Sequence, residues 1–259
     1  MYFKSIRSSS KGNCLAVFTD TTRVLFDIGL HSMKKTRAAI SEAYGCAENI
    51  DAVVISHTHS DHVSYYPLRV LADSSIRVCI HARCLDQLYR KHFTGPGLND
   101  LTISTFEDGP FKIGDLTISP FEVCHNPAFP TFGFSITDGD RKMVIATDLN
   151  TCDGLTDNFL DADMIFIESN HDLELLRQYY NPNSMYHMPN PDTARFLEDI
   201  CERSSKVPKI VILGHISPQR NTPKIAVGEI RAHFKSIRKK MEFELIAAPL
   251  AAASKTVTV

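Results

Sequence analysis

Three histidines and one aspartate lie within six positions of the segment VVISHTHSDHVSYYPL, directly after an apolar run. Side chains two residues apart on an extended segment point the same way, so His57 and His59 can bind one ion. Asp61 and His62 can provide ligands for a second ion beside it. Imidazole nitrogen and carboxylate oxygen favour zinc, manganese or iron over calcium. Ordinary polar loop residues are the alternative, and four metal-competent side chains in this order argue against it.

Three further metal-competent residues follow apolar, strand-like runs elsewhere in the chain. His125 closes ISPFEVCH, Asp148 closes KMVIATD and His215 closes KIVILGH. A single histidine after a strand is more often structural, but the repetition of the pattern favours ligands. We therefore predict a binuclear centre with seven ligands. They are shared as His57, His59 and His125 on one ion, Asp61, His62 and His215 on the other, and Asp148 bridging both.

These residues must be positioned by the strands and helices around them. Strand-like and helix-like runs alternate, which predicts an α/β fold with two sheets packed face to face and helices outside. Asp192 is the predicted N-cap of the helix that follows it. Strands are predicted at 14–18, 23–28, 51–56, 76–80, 102–106, 116–123, 132–137, 142–147, 164–168 and 209–213. Helices are predicted at 33–43, 82–91, 172–180, 192–203 and 223–239.

Composition limits the possible partners and the location of the protein. With 259 residues, 43% of them hydrophobic, the chain is predicted to form one domain over 1–259, with a tail at 247–259 of no assigned chemistry. A net charge of −2 gives no global basic field for nucleic acid, so any polyanion must be held locally. Seven cysteines without a CxxC pair favour reduced thiols and a cytoplasmic location. No window is apolar enough to predict a membrane span.

The motif SHTHSDH, with His125, Asp148 and His215 at strand ends, resembles the metallo-β-lactamase superfamily. The resemblance covers nearly the whole chain and implies a four-layer αββα sandwich with the metal site at one edge. Shorter motifs are similar to its YycJ/WalJ branch, which includes enzymes described as 5'-to-3' DNA exonucleases. These motifs are SSSKGNC, LFDIGL, ATDL, IESNHD and LGHISPQRN.

Differences between this chain and other branches of the superfamily indicate which branch it resembles. Common metallo-β-lactamases have a cysteine where this chain has Asp148, and a bridging carboxylate is the pattern of the phosphodiesterase-like branches. Cys152 lies on the wrong side of the strand end to replace it. The interval between Asp148 and His215 is too short for the inserted domain of the β-CASP ribonucleases. No long arm for gripping tRNA is present, despite the similarity of HISPQR to a tRNA-processing family.

The resemblance also implies catalytic roles for residues around the metals. Two ions roughly 3.5–4 Å apart can activate a water for in-line attack on a phosphodiester. Asp61 would orient that water or take its proton, and His187 would act as general acid or contact the phosphate. An exposed loop histidine is the alternative for His187. Asp27 is predicted to hydrogen-bond a ligand loop, with a cap for the helix at 33–43 as the alternative.

Three residues are predicted to bind substrate. Arg220 can pair with a phosphate through its guanidinium, with Ser217 on the same loop and His171 lining the cleft. An ordinary surface arginine and a polar residue at a helix start are the alternatives for Arg220 and His171. Candidates for stacking on unpaired bases are Tyr179, Tyr180 and Tyr186.

Three function classes follow from these observations. The leading one is a phosphodiesterase that uses two divalent ions, zinc or manganese with iron possible in principle, and acts on DNA with a 5' end. The second is a hydrolase of a small ester, thioester or cyclic nucleotide on the same centre. The third, a metal-binding module without catalysis, is disfavoured because every expected ligand is present. No membrane partner is expected, and the sequence does not specify an oligomeric state.

Overall fold

The computed structural model describes residues 1–45 and 49–259. The chain divides into two compact units, one of Met1–Pro120 with Ala251–Thr258 and one of Phe121–Leu250 with Val259. The predicted single domain stays a prediction. Within the described part of the chain, no helix has the length and apolar character needed to cross a membrane.

The first unit contains a seven-stranded sheet whose central strands are short, β-branched and buried, as the apolar runs predict. Its strands are β1 (Tyr2–Ser9), β2 (Gly12–Phe18), β3 (Arg23–Phe26), β4 (Ala52–Ile55), β5 (Val78–His81), β6 (Ile103–Phe106) and β14 (Val257–Thr258). The order is β14-β1-β2-β3-β4-β5-β6. Pairing is antiparallel from β14 to β3 and parallel from β3 to β6. The carboxyl ends of β3, β4 and β5 therefore meet at one edge.

The helices of the first unit are α1 (Met33–Tyr44), α2 (Tyr65–Asp73) and α3 (Leu85–His92). The predicted helix at 33–43 is confirmed as α1. Its N-cap is Ser32, whose hydroxyl accepts a hydrogen bond from Lys35 N at 3.2 Å, so Asp27 does not cap it. Helix α2 begins three residues after His62. Its apolar side, including Leu68 and Leu71, is buried in the core.

The second unit contains parallel strands whose sequences are continuous apolar runs. Its strands are β9 (Phe132–Thr137), β10 (Lys142–Ala146), β11 (Met164–Glu168), β12 (Ile210–Gly214) and β13 (Glu244–Ala247). Strands β10 to β13 pair in parallel, and β9 pairs antiparallel with β10. The remaining hairpin, β7 (Phe111–Ile113) with β8 (Leu116–Glu122), lies in the first unit except for the last two residues of β8.

Helices of the second unit are α4 (Thr156–Phe159), α5 (Leu173–Gln178), α6 (Asn190–Arg203) and α7 (Pro223–Ser236). Ala194 and Leu197 of α6 are fully buried in one hydrophobic core with the apolar residues of β10, β11 and β12. The predicted N-cap at Asp192 is wrong, because α6 starts earlier with Pro189 at the cap position. Asp192 instead lies in the first turn, where the helix dipole favours a carboxylate.

Candidate metal centre

In the first unit, the HTHSDH loop leaves β4 and is held in place by the neighbouring segment Ile28–Gly29. Ile28 N donates to His62 O at 2.8 Å, and Asn13 N donates to Asp61 O at 2.8 Å. A side chain on Gly29 would place its Cβ 1.6 Å from Asp61 O, so this close approach requires glycine. The LFDIGL motif therefore packs directly against the backbone of the ligand loop.

His57 and His59 are brought together on this loop, as their spacing predicts. His57 Nε2 lies 2.9 Å from His59 Nδ1, and the rings are 4.7 Å apart. The hydroxyl of Ser56 lies 3.0 Å from His57 Nδ1, on the opposite side of the ring. The two nitrogens that face each other are close enough to bind the same ion.

His62 is oriented by a buried carboxylate. Its Nδ1 donates to Asp27 Oδ2 at 2.7 Å, and Asp27 Oδ1 accepts from Ser56 N at 2.8 Å. On the other side of the ring, His62 Nε2 lies 3.6 Å from Asp61 Oδ2 and 2.9 Å from Asn13 Nδ2. Asp27 thus contacts both ends of the ligand loop.

In the second unit, three acidic or imidazole side chains follow adjacent parallel strands. Asp148 comes two residues after β10, Glu168 ends β11 and His215 follows β12 directly. The register pairs Ala146 with Ile167 and Glu168 with Gly214, so the three strand ends are side by side. The carboxyl ends of parallel strands are where α/β proteins commonly place their sites.

Asp148 lies between two histidines and presents one oxygen to each. Its Oδ1 is 3.8 Å from His125 Nε2, and its Oδ2 is 3.6 Å from His215 Nε2. Ligand atoms on one tetrahedral zinc ion lie roughly 3.3 Å apart, because each bond is about 2.0 Å long. The two separations are therefore close to those of atoms that share an ion, and they fit a carboxylate that bridges two ions.

Glu168 is fully buried and accepts three hydrogen bonds. Its Oε1 accepts from His215 Nδ1 at 2.7 Å and from His187 Nδ1 at 2.8 Å, and its Oε2 accepts from Leu149 N at 2.8 Å. Burial alone raises the pKa of this carboxyl, but the two histidines outweigh burial and lower the pKa to about 2. Glu168 is therefore ionised at neutral pH and fixes two rings at once.

A common hydrogen-bonding pattern supports metal binding by the histidines. His62 Nδ1 is bonded to Asp27, His215 Nδ1 to Glu168, and His125 Nδ1 to Tyr186 O at 2.8 Å. Histidine ligands of metals typically donate their second ring N–H to a carboxylate or carbonyl in this way. Each ring is thereby held with Nε2 as the nitrogen that can bind an ion, so the donor set of both units fits divalent metals.

His187 is about one-sixth exposed and lies among the candidate ligands of the second unit. Its ring centre is 5.0 Å from that of His125 and 5.1 Å from that of His215. It is not an exposed loop histidine, because Glu168 holds its Nδ1. Glu168, His187 and His215 place ligand atoms within 4.8 Å of one another.

Three residues of the site adopt the left-handed backbone conformation. Asp27 has a φ of 59°, Asp148 of 57° and His215 of 50°. Non-glycine residues rarely adopt a positive φ, although aspartate and histidine do so more readily than most. Such conformations cluster at functional sites, where the surrounding structure enforces them.

The three residues predicted to bind substrate at the phosphate, His171, Ser217 and Arg220, are all buried. Arg220 is only 9% exposed, so the surface-arginine alternative is wrong. Its Nη1 contacts Gln219 Oε1 at 3.3 Å, while its buried Nε has no hydrogen-bond partner in the described part of the chain. Ser217 Oγ accepts from Arg220 N, and His171 lies beside Asn170 with its pKa lowered by burial. Their predicted contacts with substrate stay predictions.

Sequence reasoning missed Glu168, Ser56 and Asn13 as contributors to the site. Glu168 follows the same strand-end rule that identifies Asp148 and His215, so that signal was present in MIFIE. Ser56 and Asn13 carry no such signal, because their roles depend on the packing of LFDIGL against the loop. Cys152, excluded on the sequence, has its pKa raised by burial and contacts Met188 Sδ at 3.3 Å.

Comparison with known proteins gives consistent matches. The family model described as a beta-lactamase superfamily domain matches residues 22–216. Exodeoxyribonuclease YycJ of Bacillus anthracis is 29% identical over 87% of this chain and 86% of its own length. Exodeoxyribonuclease WalJ of Streptococcus pneumoniae is 28% identical over 86% and 84% respectively. The crystal structure of the metallo-beta-lactamase fold protein YhfI of Bacillus subtilis matches with a TM-score of 0.71 and 17% identity, over 98% of this chain and 99% of that one.

Proposed function

Because the chain belongs to the β-lactamase superfamily, we propose that it is a phosphodiesterase that degrades DNA from a 5' end. The predicted metallo-β-lactamase fold is confirmed, and the protein is a metal-dependent hydrolase. The observation that carries the finer proposal is Asp148, which presents one oxygen to His125 and the other to His215. A carboxylate in this position is typical of phosphodiesterase-like branches, and two curated relatives are named exodeoxyribonucleases.

The proposed centre holds two divalent ions, zinc or manganese, with iron as a third choice by ligand chemistry. When bound, the ions lower the pKa of a water and stabilise negative charge on the phosphodiester. The proposed ligands are His57, His59 and His125 for one ion, Asp61, His62 and His215 for the other, and Asp148 for both.

The protein side chains then orient the reactants and move protons. Asp61 is the proposed group that orients the attacking water and accepts its proton. His187 is the proposed donor of a proton from Nε2 to the leaving oxygen. Glu168 supports that role, because it accepts a hydrogen bond from Nδ1 at 2.8 Å and so fixes the ring with Nε2 as the nitrogen on its other side. Asp27 holds His62 in the orientation in which Nε2 of the ring faces Asp61.

Arg220 is the proposed phosphate contact. Its buried Nε lacks a hydrogen-bond partner in the described chain, and burial lowers the pKa of its guanidinium. A buried cation without a carboxylate partner gains most from an anionic ligand. Ser217 Oγ accepts a hydrogen bond from Arg220 N and supports this loop, and His171 stays the proposed residue that lines the cleft.

Metal content gives a first prediction. Purified protein equilibrated with excess zinc or manganese and then desalted is expected to retain about two ions per chain by mass spectrometry of the metal. His215→Ala is expected to lower the ratio toward one, because one ion loses a ligand. A ratio near one in the wild type that His215→Ala leaves unchanged would refute the second ion.

Removing the proposed phosphate contact gives a second prediction. Arg220→Ala is expected to weaken binding of 5'-phosphorylated DNA about 10- to 100-fold, since hydrogen bonds to charged groups contribute about 1.5–3 kcal/mol. Cleavage of bis(p-nitrophenyl) phosphate should change far less, because a small diester needs only the metals. Arg231→Ala, an exposed arginine on α7, is the matched control. Equal losses on both substrates contradict the contact.

The proposed function is tested with a panel of substrates under zinc and under manganese. The panel contains linear 5'-phosphorylated DNA, closed circular DNA, RNA, bis(p-nitrophenyl) phosphate, a small thioester and nitrocefin. The expected result is cleavage of linear DNA and of the small diester, with closed circles and nitrocefin left intact. Efficient thioester cleavage without any DNA cleavage would replace the proposal with the small-substrate hydrolase.

A further inference from the structure

Exposed apolar side chains are concentrated in one segment of the second unit. We call residues 173–186 the aromatic segment; it contains α5 and the turn after it. Leu173 is 41% exposed, Tyr179 58%, Tyr180 78% and Met185 69%. These are four of the six large hydrophobic side chains that are exposed in the described part of the chain. Isolated exposed apolar residues need no explanation, but four of them within one short segment point to a surface for binding.

The aromatic segment is anchored to candidate site residues at both ends. At its start, Asp172 N donates to Arg220 O at 2.8 Å, and Asp172 Oδ1 caps α5 by accepting from Leu175 N at 2.6 Å. At its end, Tyr186 O accepts from His125 Nδ1 at 2.8 Å, and the next residue is His187. The exposed side chains are therefore attached, within one unit, to the proposed phosphate contact and the proposed proton donor.

Tyr186 differs from Tyr179 and Tyr180 in its burial. It is half-buried, and its ring packs edge-on against His125 at 6.1 Å between ring centres. The predicted stacking role is consequently better met by Tyr179 and Tyr180, which are 58% and 78% exposed. Tyrosine loses little side-chain entropy on binding, because it has only two rotatable angles.

The charge of the aromatic segment indicates which part of a polynucleotide it can bind. The charged residues of the segment are Glu174 and Arg177, and they pair with each other at 2.6 Å. The surface thus has no excess positive charge for a phosphate backbone or an anionic membrane. Aromatic rings bind unpaired bases by stacking, which needs no net charge and tolerates any sequence.

We propose that the aromatic segment binds the unpaired bases of a single-stranded end next to the diester that is cut. This inference rests on the proposed function, since it names the form of DNA that the same site accepts. It also assigns the substrate a partly frayed or single-stranded terminus in place of a fully paired one. Affinity from this surface should depend little on salt, because stacking releases few counterions.

The experiment measures binding and cleavage separately. Wild type, Tyr179→Ala/Tyr180→Ala and Tyr179→Phe/Tyr180→Phe are titrated, without added metal, into labelled 5'-phosphorylated single strands. One strand has normal bases and the other has abasic sites over the terminal nucleotides. Tyr89→Ala, an exposed tyrosine of the first unit, is the matched control. All variants are also assayed on bis(p-nitrophenyl) phosphate with metal.

The alanine pair is expected to weaken binding of the normal strand at least about 5- to 150-fold, which is the loss of one stacked base at roughly 1–3 kcal/mol. It should change binding of the abasic strand and hydrolysis of the small diester less than twofold. The phenylalanine pair should bind like wild type, because its rings still stack. Equal weakening on both strands, or none on the normal strand, overturns the inference. A wild type that cleaves the small diester but no DNA overturns the proposed nuclease function, and the binding titration still decides the role of the segment.

Discussion

Asp148→Asn is expected to abolish turnover while the protein remains folded. The carboxylate faces His125 and His215 with different oxygens, so in the proposed centre its charge would hold two cations, which a neutral amide would hold less well. Asparagine adopts the left-handed conformation about as readily as aspartate, so the change removes the charge without adding backbone strain at a φ of 57°. Turnover of the small diester is expected to fall by more than a hundredfold, and the bound metal should fall with it.

Circular dichroism, metal analysis and the diester assay check this prediction together. Asp153→Asn, at an exposed aspartate of the same unit, serves as the control and should behave like wild type. Activity above a tenth of wild type in Asp148→Asn would refute a bridging role. A variant that loses its far-ultraviolet spectrum would point to a structural role instead.

Glu168→Gln is expected to weaken metal binding and turnover by about 10- to 100-fold, the usual effect of losing a partner of a ligating histidine. Three N–H groups converge on the carboxylate, from Leu149, His187 and His215. A glutamine in either orientation places its own NH2 against at least one of them. The buried donor left without a partner should also lower the free energy of unfolding by about 1–3 kcal/mol.

Competition with a chelator gives the metal affinity, and denaturant unfolding gives the stability. Glu174→Gln, an exposed glutamate on α5, is the matched control and should leave both unchanged. If Glu168→Gln binds metal as tightly as wild type, Glu168 does not orient His215. Normal metal binding with slow turnover would assign the defect to His187 alone.

The sequence predicts the elements of this protein best where its apolar runs are long and continuous. KMVIA, MIFIE and IVILG become β10, β11 and β12, because buried parallel strands have no polar face. Strand β1 was missed because its polar residues alternate with buried ones in YFKSIRSS. Strand β14 could not be predicted, since its two residues are strand only through pairing with Tyr2 and Phe3.

The candidate site shows the same division between local and long-range information. His57, His59 and His62 are identified by spacing alone, because the loop that carries them is continuous. The burial of Arg220 and the bond from His62 to Asp27 depend on packing between segments distant in sequence. The three partners of Glu168 come from three different segments, so no local pattern encodes the convergence.

The left-handed backbone at Asp148 also restricts which amino acids evolution or design can place there. Cysteine, the residue that common metallo-β-lactamases use at this point, has no side-chain group that eases a φ of 57°, and the left-handed region costs an ordinary residue about 1–2 kcal/mol. Asp148→Cys would therefore lower the free energy of unfolding, whether or not the new thiolate bound a metal. An exchange of bridging carboxylate for thiolate would need a compensating backbone change in the loop after β10. The main chain at this position therefore favours aspartate, and with it an oxygen donor, independently of what the side chain binds.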